Sequence, residues 1–388
     1  MSKPKLFRIT TVPVSLSGLL KNQLKYMNQY YEVHAVSSPG DEFEAVKKSE
    51  GVLIHEVYMT RIISPFQDLK ALIKLIRLIK RERPLIVHTH TPKAGTLGML
   101  AAKLSGVPLR LHTVAGLPLL EIKGFKRKIL NMVEKITYSC ATKVYPNSFN
   151  LKEIIIADRL CKASKLKVIG NGSSNGIDTT HFSPESISTT VKAALKDKIG
   201  IKENDIVFCF IGRLVNDKGI KELIEAFIIN AEKYQTIKLI IVGNPEKGID
   251  PVDEKTQHII STHPRIYSAG FQADVRPFLA ISDIFVFPSY REGFPNVVLQ
   301  AGAMGVPSIV SNINGCNEII ENNINGLIVP VKSAEAVADA MNFLITDKDT
   351  RLKMAANCRN MIVCRYDQKY MWEQILIEYK NQININNF

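Results

Sequence analysis

Short apolar runs alternate along this chain with stretches whose apolar residues recur at helical spacing. The apolar runs of the first half predict strands at residues 6–12, 31–38, 84–90 and 109–114. The stretches between them predict amphipathic helices at residues 17–30, 68–83 and 94–106. Strands that alternate with helices of this length are typical of βαβ units, in which a parallel sheet is covered on both faces.

The second half repeats this alternation. Its apolar runs predict strands at residues 205–214, 237–243, 283–289 and 307–311, and its amphipathic pattern predicts a helix at residues 219–234. Residues 170–184, GNGSSNGIDTTHFSP, are dense in Gly, Ser, Asn and Pro and predict a linker. The sequence therefore predicts an α/β chain with an N-terminal domain at residues 1–169 and a C-terminal domain at residues 185–365. We expect residues 366–388 to form a helix that crosses back to the first domain.

Length and charge add to this picture. A chain of 388 residues is too long for one ordinary core. Residues 1–170 contain 28 Lys and Arg against 12 Asp and Glu, a net charge of +16, whereas residues 171–388 have a net charge of −3. This asymmetry predicts that the first domain meets a polyanionic partner, either nucleic acid or an anionic membrane surface.

Cysteine spacing and the apolar runs bear on the compartment. The six cysteines show no CxxC spacing, which favours reduced thiols over a zinc site. No apolar run reaches the roughly 18 residues of a membrane span, and the start MSKPKLFRITTV has no apolar signal segment. We therefore expect a cytoplasmic protein.

Ligands of open α/β sheets bind beyond the carboxyl ends of the strands, so the candidate chemistry is sought there. Arg213 lies where the first strand of the second domain ends, and Lys218 follows shortly before a glycine that opens a helix. A guanidinium, an ammonium and a helix N-terminus together suit a diphosphate. The alternative is a solvated surface pair, because Arg and Lys are common in loops.

A second candidate is the segment SYREGFPNVVLQAGAMG, which follows the strand at 283–289. Glu292 precedes a turn at Gly293, and the backbone N–H groups of Phe294, Asn296 and Val297 lie at a helix start. The simpler interpretation of this Glu is that it caps the helix, since acidic residues are favoured there.

Histidines and paired acids are the remaining candidates. His112 lies near the end of a first-domain strand, although a lone His is more often structural. His88 and His90 lie two apart and so on one side of a strand, but no third ligand is near, and a metal site is not expected. The Asp-x-Asp of TDKDT (346–350) lies between helical stretches and predicts a helix-capping turn rather than a metal site.

Three segments carry a family resemblance: GRLVNDKG, FVFPSYREGFPNVVLQAGAMGVPSIVS and GCNEIIENNINGLIVP, in this order and spacing. Together they resemble the retaining glycosyltransferases of family four, whose GT-B fold has two Rossmann-like domains facing across a cleft. HTHTPKAG and LHTVAGLP are similar to the bacterial members that build capsule, O-antigen or exopolysaccharide units.

The resemblance implies roles for the candidate residues. Arg213 and Lys218 would hold the donor diphosphate. Glu292 would bond the hydroxyls of the donor sugar, and His112 would contact that sugar near the reacting centre, which makes these two the candidate catalytic residues. Gly18, placed in the first strand–helix loop, would let the backbone approach the phosphates.

The resemblance also implies further donor contacts. The segment Phe294, Pro295, Asn296 and Val297 would lie beside the sugar and phosphate, and Phe271 and Gln272 would border the base. Gln300 stands where the family usually has a second Glu that bonds the ribose hydroxyls. A Gln keeps an acceptor oxygen at the same reach but loses the charge.

The implied reaction is transfer from a nucleotide-diphosphate sugar to a lipid-linked or saccharide acceptor, with a polyprenyl diphosphate as the lipid carrier. A UDP-linked donor is favoured, and an N-acetylamino sugar is among the candidates. The family mechanism implies retention of configuration and needs neither metal nor cofactor. The alternatives are a sugar-nucleotide epimerase of the same fold and a basic nucleic-acid-binding protein. The chain lacks the aromatic-interleaved basic patches of the latter, so no nucleic-acid partner is expected.

The basic residues of the first domain predict a membrane partner. In the helix at 68–83, one face carries Lys70, Lys74, Arg77 and Arg81, and another carries Leu69, Leu72, Ile73, Ile76 and Ile79. The segment GFKRKIL and the residue before it add Lys123, Lys126, Arg127 and Lys128. The apolar face predicts packing on the sheet. The basic face predicts reversible docking on an anionic membrane, peripheral on its inner surface.

Overall fold

The computed structural model describes residues 3–62, 64–117, 124–246, 248 and 250–386. The chain forms two compact units. Unit 1 comprises Met1–Asn175 and Lys369–Phe388, and unit 2 comprises Gly176–Gln368. The division between Asn175 and Gly176 falls inside the segment 170–184, whose Gly, Ser, Asn and Pro content predicts a linker.

Unit 1 is built on six strands with helices between them. The strands are β1 (Lys5–Ile9), β2 (Glu32–Ser37), β3 (Leu53–Glu56), β4 (Ile86–Thr89), β5 (Leu109–Val114) and β6 (Lys143–Pro146). The helices are α1 (Pro13–Leu19), α2 (Gln23–Met27), α3 (Glu42–Glu50), α4 (Pro65–Glu82), α5 (Pro92–Leu104), α6 (Gly124–Cys140) and α7 (Phe149–Ala157). The last helix, α16 (Gln368–Ile385), belongs to this unit apart from its first residue.

The first sheet is fully parallel, in the order β3-β2-β1-β4-β5-β6. Successive strand residues point to opposite faces, so that Phe7 joins the core under α4 to α7, whereas Leu6 joins the core under α1, α2 and α16. Both cores are needed because a parallel sheet is buried on both faces.

Unit 2 repeats this plan. Its strands are β7 (Ile206–Ile211), β8 (Ile237–Val242), β9 (Ile266–Gly270), β10 (Ile284–Phe287), β11 (Ser308–Ser311) and β12 (Gly326–Val329). Its helices are α8 (Thr189–Ile199), α9 (Ile220–Lys233), α10 (Glu254–Thr262), α11 (Arg276–Leu279), α12 (Asn296–Ala303), α13 (Cys316–Ile319), α14 (Ala334–Thr346) and α15 (Lys348–Tyr366).

The second sheet is also parallel, in the order β12-β11-β10-β7-β8-β9. Counted within each unit, both sheets have the strand order 3-2-1-4-5-6 of dinucleotide-binding Rossmann folds. In that order the first and fourth strands are neighbours whose connections leave in opposite directions. The carboxyl ends of β1 and β4, and of β7 and β10, are therefore the switch points at which such sheets bind ligands.

The two stretches of chain that end unit 2 pair with each other. The N–H of Ile177 donates to the carbonyl of Tyr366 at 2.9 Å, and the N–H of Gln368 donates to the carbonyl of Ile177 at 2.9 Å. Thr179 Oγ1 donates to Asp367 at 2.6 Å beside this bridge. Both ends of the unit are thereby fixed to one another.

The Asp-x-Asp of TDKDT is a helix cap, as its position predicts. The Asp347 side chain accepts from the backbone N–H of Thr350 at 2.9 Å and begins α15. Hydrogen bonds from the backbone N–H and the hydroxyl of Thr350 lower the pKa of Asp347, because they favour the ionised carboxylate.

The apolar face of α4 differs from its sequence prediction. The helix buries Ala71, Leu75, Leu78 and Ile79 against the sheet, while Leu69 is 55% exposed and Ile73 is 40% exposed. Apolar residues occupy a wider arc of this helix than the sheet covers, so part of the predicted core face reaches solvent. Among the described residues, no helix has the length and apolar character required to cross a bilayer.

Candidate functional site

The candidate donor residues of unit 2 follow the carboxyl ends of its strands. Arg213 and Lys218 come after β7, Phe271 comes after β9, and Glu292 comes after β10. Since β7 and β10 are neighbours in the sheet, the loops that carry Lys218 and Glu292 meet at the switch point.

The loop after β7 places Lys218 against this point. A single 3-10 turn, Asn216–Lys218, ends at Gly219, which has φ of 68° and begins α9. A Cβ on Gly219 would lie 2.1 Å from the carbonyl oxygen of Pro288, so only glycine fits between the two loops. The Lys218 ammonium lies 5.6 Å from the centre of the Phe287 ring, and its side chain is 15% exposed.

Glu292 is bound by the other loop and does not cap the helix. Its Oε1 accepts from the ammonium of Lys218 and from Ser289 Oγ, the latter at 3.2 Å. Helix α12 begins four residues later with Pro295 at the N-cap, and no side chain caps it. The helix-capping alternative is therefore wrong, and the carboxylate instead pairs with a cation across the switch point.

Asn314 is a part of this site that the sequence analysis missed. Its amide Nδ2 donates to the carbonyl of Glu292 and, at 3.2 Å, to that of Gly293. In a trans peptide the C=O and the next N–H point in opposite directions, so the N–H groups of Gly293 and Phe294 face away from Asn314. The neighbouring Gly315 has φ of 78°, and a Cβ there would lie 2.7 Å from the Gly293 carbonyl oxygen. The sequence held a signal for this residue. Asn314 lies in the loop after the strand β11, and the segment GCNEII begins at the next residue.

A second ion pair fastens the two loops together. Arg291 Nη2 donates to Asp217 at 2.9 Å, and the backbone N–H of Tyr290 donates to the carbonyl of Asp217 at 2.8 Å. Tyr290 also donates its hydroxyl to Glu222 at 2.6 Å. Burial, together with this bond to Glu222, raises the pKa of Tyr290. These contacts position the loops of Lys218 and Glu292 without using either side chain.

Arg213 and the segment after β9 lie further along the same edge. Arg213 is exposed and forms an ion pair of 2.5 Å with Glu246. The N–H of Phe271 donates to the side chain of Asn244, which follows β8, at 2.9 Å, and the Phe271 ring is 72% exposed. Gln272 Nε2 donates to the carbonyl of Ala269 at 2.7 Å, so its amide is held against the backbone. A free aromatic ring at a strand end can stack on a base.

Helix α12 supplies backbone rather than side chains. Phe294 is buried, and its ring packs on Tyr366 with 5.4 Å between ring centres, so only its peptide group can meet a ligand. The first turn of a helix leaves N–H groups without intrahelical acceptors, and here these include Asn296 and Val297. Gln300 lies one turn beyond Asn296 on the same face and is partly exposed.

The structure corrects the position of one candidate residue of unit 1, Gly18, and shows the surroundings of the other, His112. Gly18 lies inside α1 rather than in a strand–helix loop, because Pro13 begins that helix five residues earlier. His112 is 3% exposed, its Nδ1 hydrogen-bonds Thr89 Oγ1 at 2.8 Å, and its ring packs on Gly95 of α5. Burial lowers the pKa of His112 to about 4. The imidazole is thus a neutral group between the sheet and its helices.

Metal ligands do not converge in the part of the chain that the structure describes. No three side chains among His, Cys, Asp and Glu come close enough there to hold an ion.

Cys316 is buried near Glu292. Its burial, and to a smaller extent the Glu292 carboxylate, raise the pKa of its thiol.

Two parallel sheets of Rossmann strand order, with Lys218 and Glu292 at the switch point of the second, agree with the GT-B fold that the sequence motifs imply. Residues 191–361 match the family model "Glycosyl transferases group 1", and residues 14–150 match "Glycosyl transferase 4-like". The chain belongs to this glycosyltransferase family, of the family-four type that its sequence motifs indicate. This membership decides against the epimerase and nucleic-acid-binding alternatives.

Two relatives are similar over almost their whole length. The capsular polysaccharide biosynthesis glycosyltransferase CapM of Staphylococcus aureus is 35% identical over 377 residues, which are 97% of this chain and 96% of that protein. The UDP-Gal:α-D-GlcNAc-diphosphoundecaprenol α-1,3-galactosyltransferase of Escherichia coli is 32% identical over 373 residues, 93% of each chain.

Solved structures share the fold. HepE of Anabaena, crystallised in complex with UDP, superposes with a TM-score of 0.81 at 20% identity and covers 98% of this chain and 100% of its own. A sucrose-phosphate synthase from Thermosynechococcus elongatus superposes with a TM-score of 0.81 at 17% identity, covering 99% and 100%. At these identities the likeness concerns the fold alone.

Proposed function

We propose that this glycosyltransferase moves a sugar from a UDP-linked donor to a polyprenyl-diphosphate-linked saccharide, with retention of configuration and without a metal ion. The observation that carries the donor half of this proposal is the Lys218–Glu292 pair at the switch point of the second sheet. It brings a cation for a diphosphate and a carboxylate for sugar hydroxyls to the edge where α/β sheets bind nucleotides.

The charges in this region suit a leaving diphosphate. The Lys218 ammonium has three N–H donors, of which Glu292 takes one, so two remain for phosphate oxygens. The N–H groups at the start of α12 add a positive helix end, and Arg213 adds a guanidinium. Donors fixed before reaction stabilise developing negative charge without reorganisation, which is the role a metal would otherwise fill.

The names of two relatives support a lipid-linked acceptor. The E. coli enzyme acts on a GlcNAc-diphosphoundecaprenol, and a relative from Campylobacter jejuni, 28% identical over 353 residues, acts on a diacetylbacillosaminyl-diphospho-undecaprenol. HepE was crystallised with UDP, and also with UDP-glucose. We propose the same classes of substrate for this protein, with N-acetylamino sugars among its donor sugars.

The test incubates the purified full chain with a panel of UDP- and GDP-sugars and a polyprenyl-diphosphate-linked N-acetylhexosamine. We expect transfer from a UDP-sugar, the same anomeric configuration in donor and product, and undiminished activity in excess EDTA. Epimerised nucleotide sugar in the absence of acceptor would overturn transfer. An inverted product would overturn retention, and loss of activity restored by Mg²⁺ would overturn the metal-free mechanism.

Gln300 offers a test of the nucleotide contact. If its amide oxygen accepts from a ribose hydroxyl, Gln300→Leu is expected to raise the donor KM about 5-fold with little change in kcat, because a neutral hydrogen bond is worth about 1 kcal/mol. Gln300→Glu keeps an acceptor and is expected to leave KM unchanged or lower. Steady-state kinetics against the donor measure both, and an unchanged KM with Leu would place the side chain outside the nucleotide site.

The membrane partner is proposed from the surface of unit 1. Helix α5 packs between α4 and α6 on one face of the first sheet. The outer face of α6 exposes Phe125, Ile129, Met132 and Ile136, interleaved with Lys128 and Lys135. On α4, the exposed Phe66, Leu69 and Ile73 alternate with Lys70, Lys74 and Arg77. Large exposed apolar residues beside lysines are typical of helices that lie in the interface of an anionic bilayer.

One basic residue of the predicted patch has another role. Arg127 Nη2 donates to Asp158 at 2.5 Å, and its Nε donates to Asn131 at 3.2 Å, so the guanidinium fastens α6 to the end of α7. Lys126 and Lys128 are exposed, whereas Lys123 lies outside the described residues. The docking experiment therefore has to leave Arg127 intact.

Reversing Lys126 and Lys128 to Glu together is expected to weaken binding to vesicles containing phosphatidylglycerol at least about 30-fold, since each basic residue near an anionic surface contributes about 1 kcal/mol. Co-sedimentation with these vesicles at low salt measures the binding. The matched control reverses Lys47 and Lys48, which are exposed on α3 at the opposite face of the sheet. Equal loss in both variants, or equal binding to neutral vesicles, would contradict docking through this face.

A further inference from the structure

A small polar cavity lies at the carboxyl edge of the first sheet, within unit 1. Its volume is about 20 Å³, which is room for one water-sized molecule. The strand ends contribute His90, Thr113 and Asn147, the segment before the unit boundary contributes Ser173 and Ser174, and Ile375 of α16 closes one side. The candidate donor site of unit 2 uses none of these groups.

Three residues that line this cavity each have a buried side-chain atom without a hydrogen-bond partner within the described part of the chain. These atoms are His90 Nδ1, Asn147 Oδ1 and Ser174 Oγ. His90 is 3% exposed and Asn147 is 5% exposed. Buried polar atoms almost always have a partner, so three orphans on residues that line one cavity indicate a place for a bound polar group.

The pattern of donors and acceptors defines what this site accepts. Arg8 Nε donates to His90 Nε2 at 3.0 Å, so the neutral imidazole carries its proton on Nδ1 and is a donor towards the cavity. Burial, then His88 and Arg8, keep the pKa of His90 well below its usual value, which maintains that neutral form. Asn147 Nδ2 donates to the carbonyl of Ala115 at 3.3 Å, which leaves Oδ1 as an acceptor.

A hydroxylic oxygen matches this set of donors and acceptors. Such an oxygen can accept from His90 Nδ1 and from Ser174 Oγ and can donate its proton to Asn147 Oδ1. A cation is excluded by the N–H of His90. A carboxylate or phosphate is excluded by the cavity volume and by the acceptor oxygen of Asn147.

We propose that this cavity is a binding site for a single hydroxylic oxygen, supplied by a water molecule or by one hydroxyl of the acceptor saccharide. Binding of the acceptor hydroxyl rests on the proposed function, whereas binding of water does not. The bound oxygen would join the ends of β4 and β6 to the chain that ends unit 1. That chain is also held by the N–H of Ser173, which donates to the carbonyl of Asn147 at 2.7 Å, and by Asn175, which accepts from Gln23 at 2.9 Å and from Trp372 at 2.7 Å.

The first test is crystallographic and needs no activity. Crystals of the full chain alone, and crystals soaked with a short-chain polyprenyl-diphosphate N-acetylglucosamine, are compared at a resolution that shows waters. We expect an oxygen within 3.2 Å of His90 Nδ1 and Asn147 Oδ1. A peak in the free crystals identifies water, and a peak only after soaking identifies the sugar hydroxyl. An empty cavity in both overturns the proposal.

A matched pair of serine variants gives an independent measurement. Ser174→Ala removes one partner of the bound oxygen and is expected to lower the Tm of the full chain by about 2 °C. Ser37→Ala removes another buried, unpartnered hydroxyl of unit 1 that does not line this cavity, and it is expected to leave Tm unchanged or raised. Equal shifts in the two variants would mean that Ser174 has no bound partner. Failure of glycosyl transfer would leave this comparison intact.

Discussion

Lys218→Ala is expected to lower kcat/KM for the donor about 10²- to 10³-fold. The ammonium is the charge that the structure holds at the junction of β7 and β10, and removing one fixed donor to a developing anion costs this much in other enzymes. Lys218→Arg keeps the charge and is expected to recover part of the loss. Steady-state kinetics with a UDP-sugar, and binding of UDP by calorimetry, measure both effects.

The chain offers a matched control for this variant. Lys221 lies three residues further on and forms an exposed ion pair of 4.0 Å with Glu225. Lys221→Ala removes an equal charge from the same helix start and is expected to leave kcat/KM within a factor of two, because exposed ion pairs contribute little. Wild-type turnover by Lys218→Ala would remove the basis for a diphosphate site here.

Glu292→Ala is expected to lower kcat about 10²-fold, and Glu292→Gln less than that. Hydrogen bonds that hydroxyls donate to a charged acceptor contribute about 1.5 to 3 kcal/mol, and Gln keeps an acceptor of equal reach but loses the charge. Loss of the carboxylate also leaves Lys218 without its partner in the free enzyme. The measurement is kcat at saturating donor, with Glu225→Ala as the matched acidic control.

The double variant Lys218→Ala/Glu292→Ala separates the two roles. Because the side chains are in direct contact, we expect the double loss to fall short of the product of the single losses. Strictly multiplicative losses would mean that the two residues act independently and that their ion pair has no part in donor binding.

The sequence predicted much of this arrangement because parallel sheets impose it. Once strands and helices alternate, the carboxyl ends must share one edge, and Arg213, Lys218 and Glu292 fall at such ends. What periodicity could not supply was contact between loops. The bond between Lys218 and Glu292 depends on β10 lying beside β7, a property of strand order that no local pattern encodes.

Other differences have equally specific causes. His112 lies near the end of a strand, as predicted, but the sequence did not show that its side chain points to the face covered by α5, where Gly95 leaves room for the ring. Periodicity shows that a strand exists and not which face meets solvent. On α4, the apolar arc is wider than the sheet beneath it, so Leu69 and Ile73 could not be distinguished from core residues by spacing alone.

The discontinuity of unit 1 has a consequence for how the protein is made. Tyr379 of α16 hydrogen-bonds the buried Arg8 at 3.0 Å and His88 at 2.5 Å, and Glu378 accepts from Tyr145 at 3.1 Å. These partners are translated before unit 2, and α16 is translated after it. During synthesis, unit 2 can therefore complete its core from one continuous stretch, whereas one face of the first sheet is covered only by α1 to α3 until α16 leaves the ribosome. A nascent chain stopped at Gln368 would leave the Arg8 guanidinium and the His88 imidazole without their tyrosine partner.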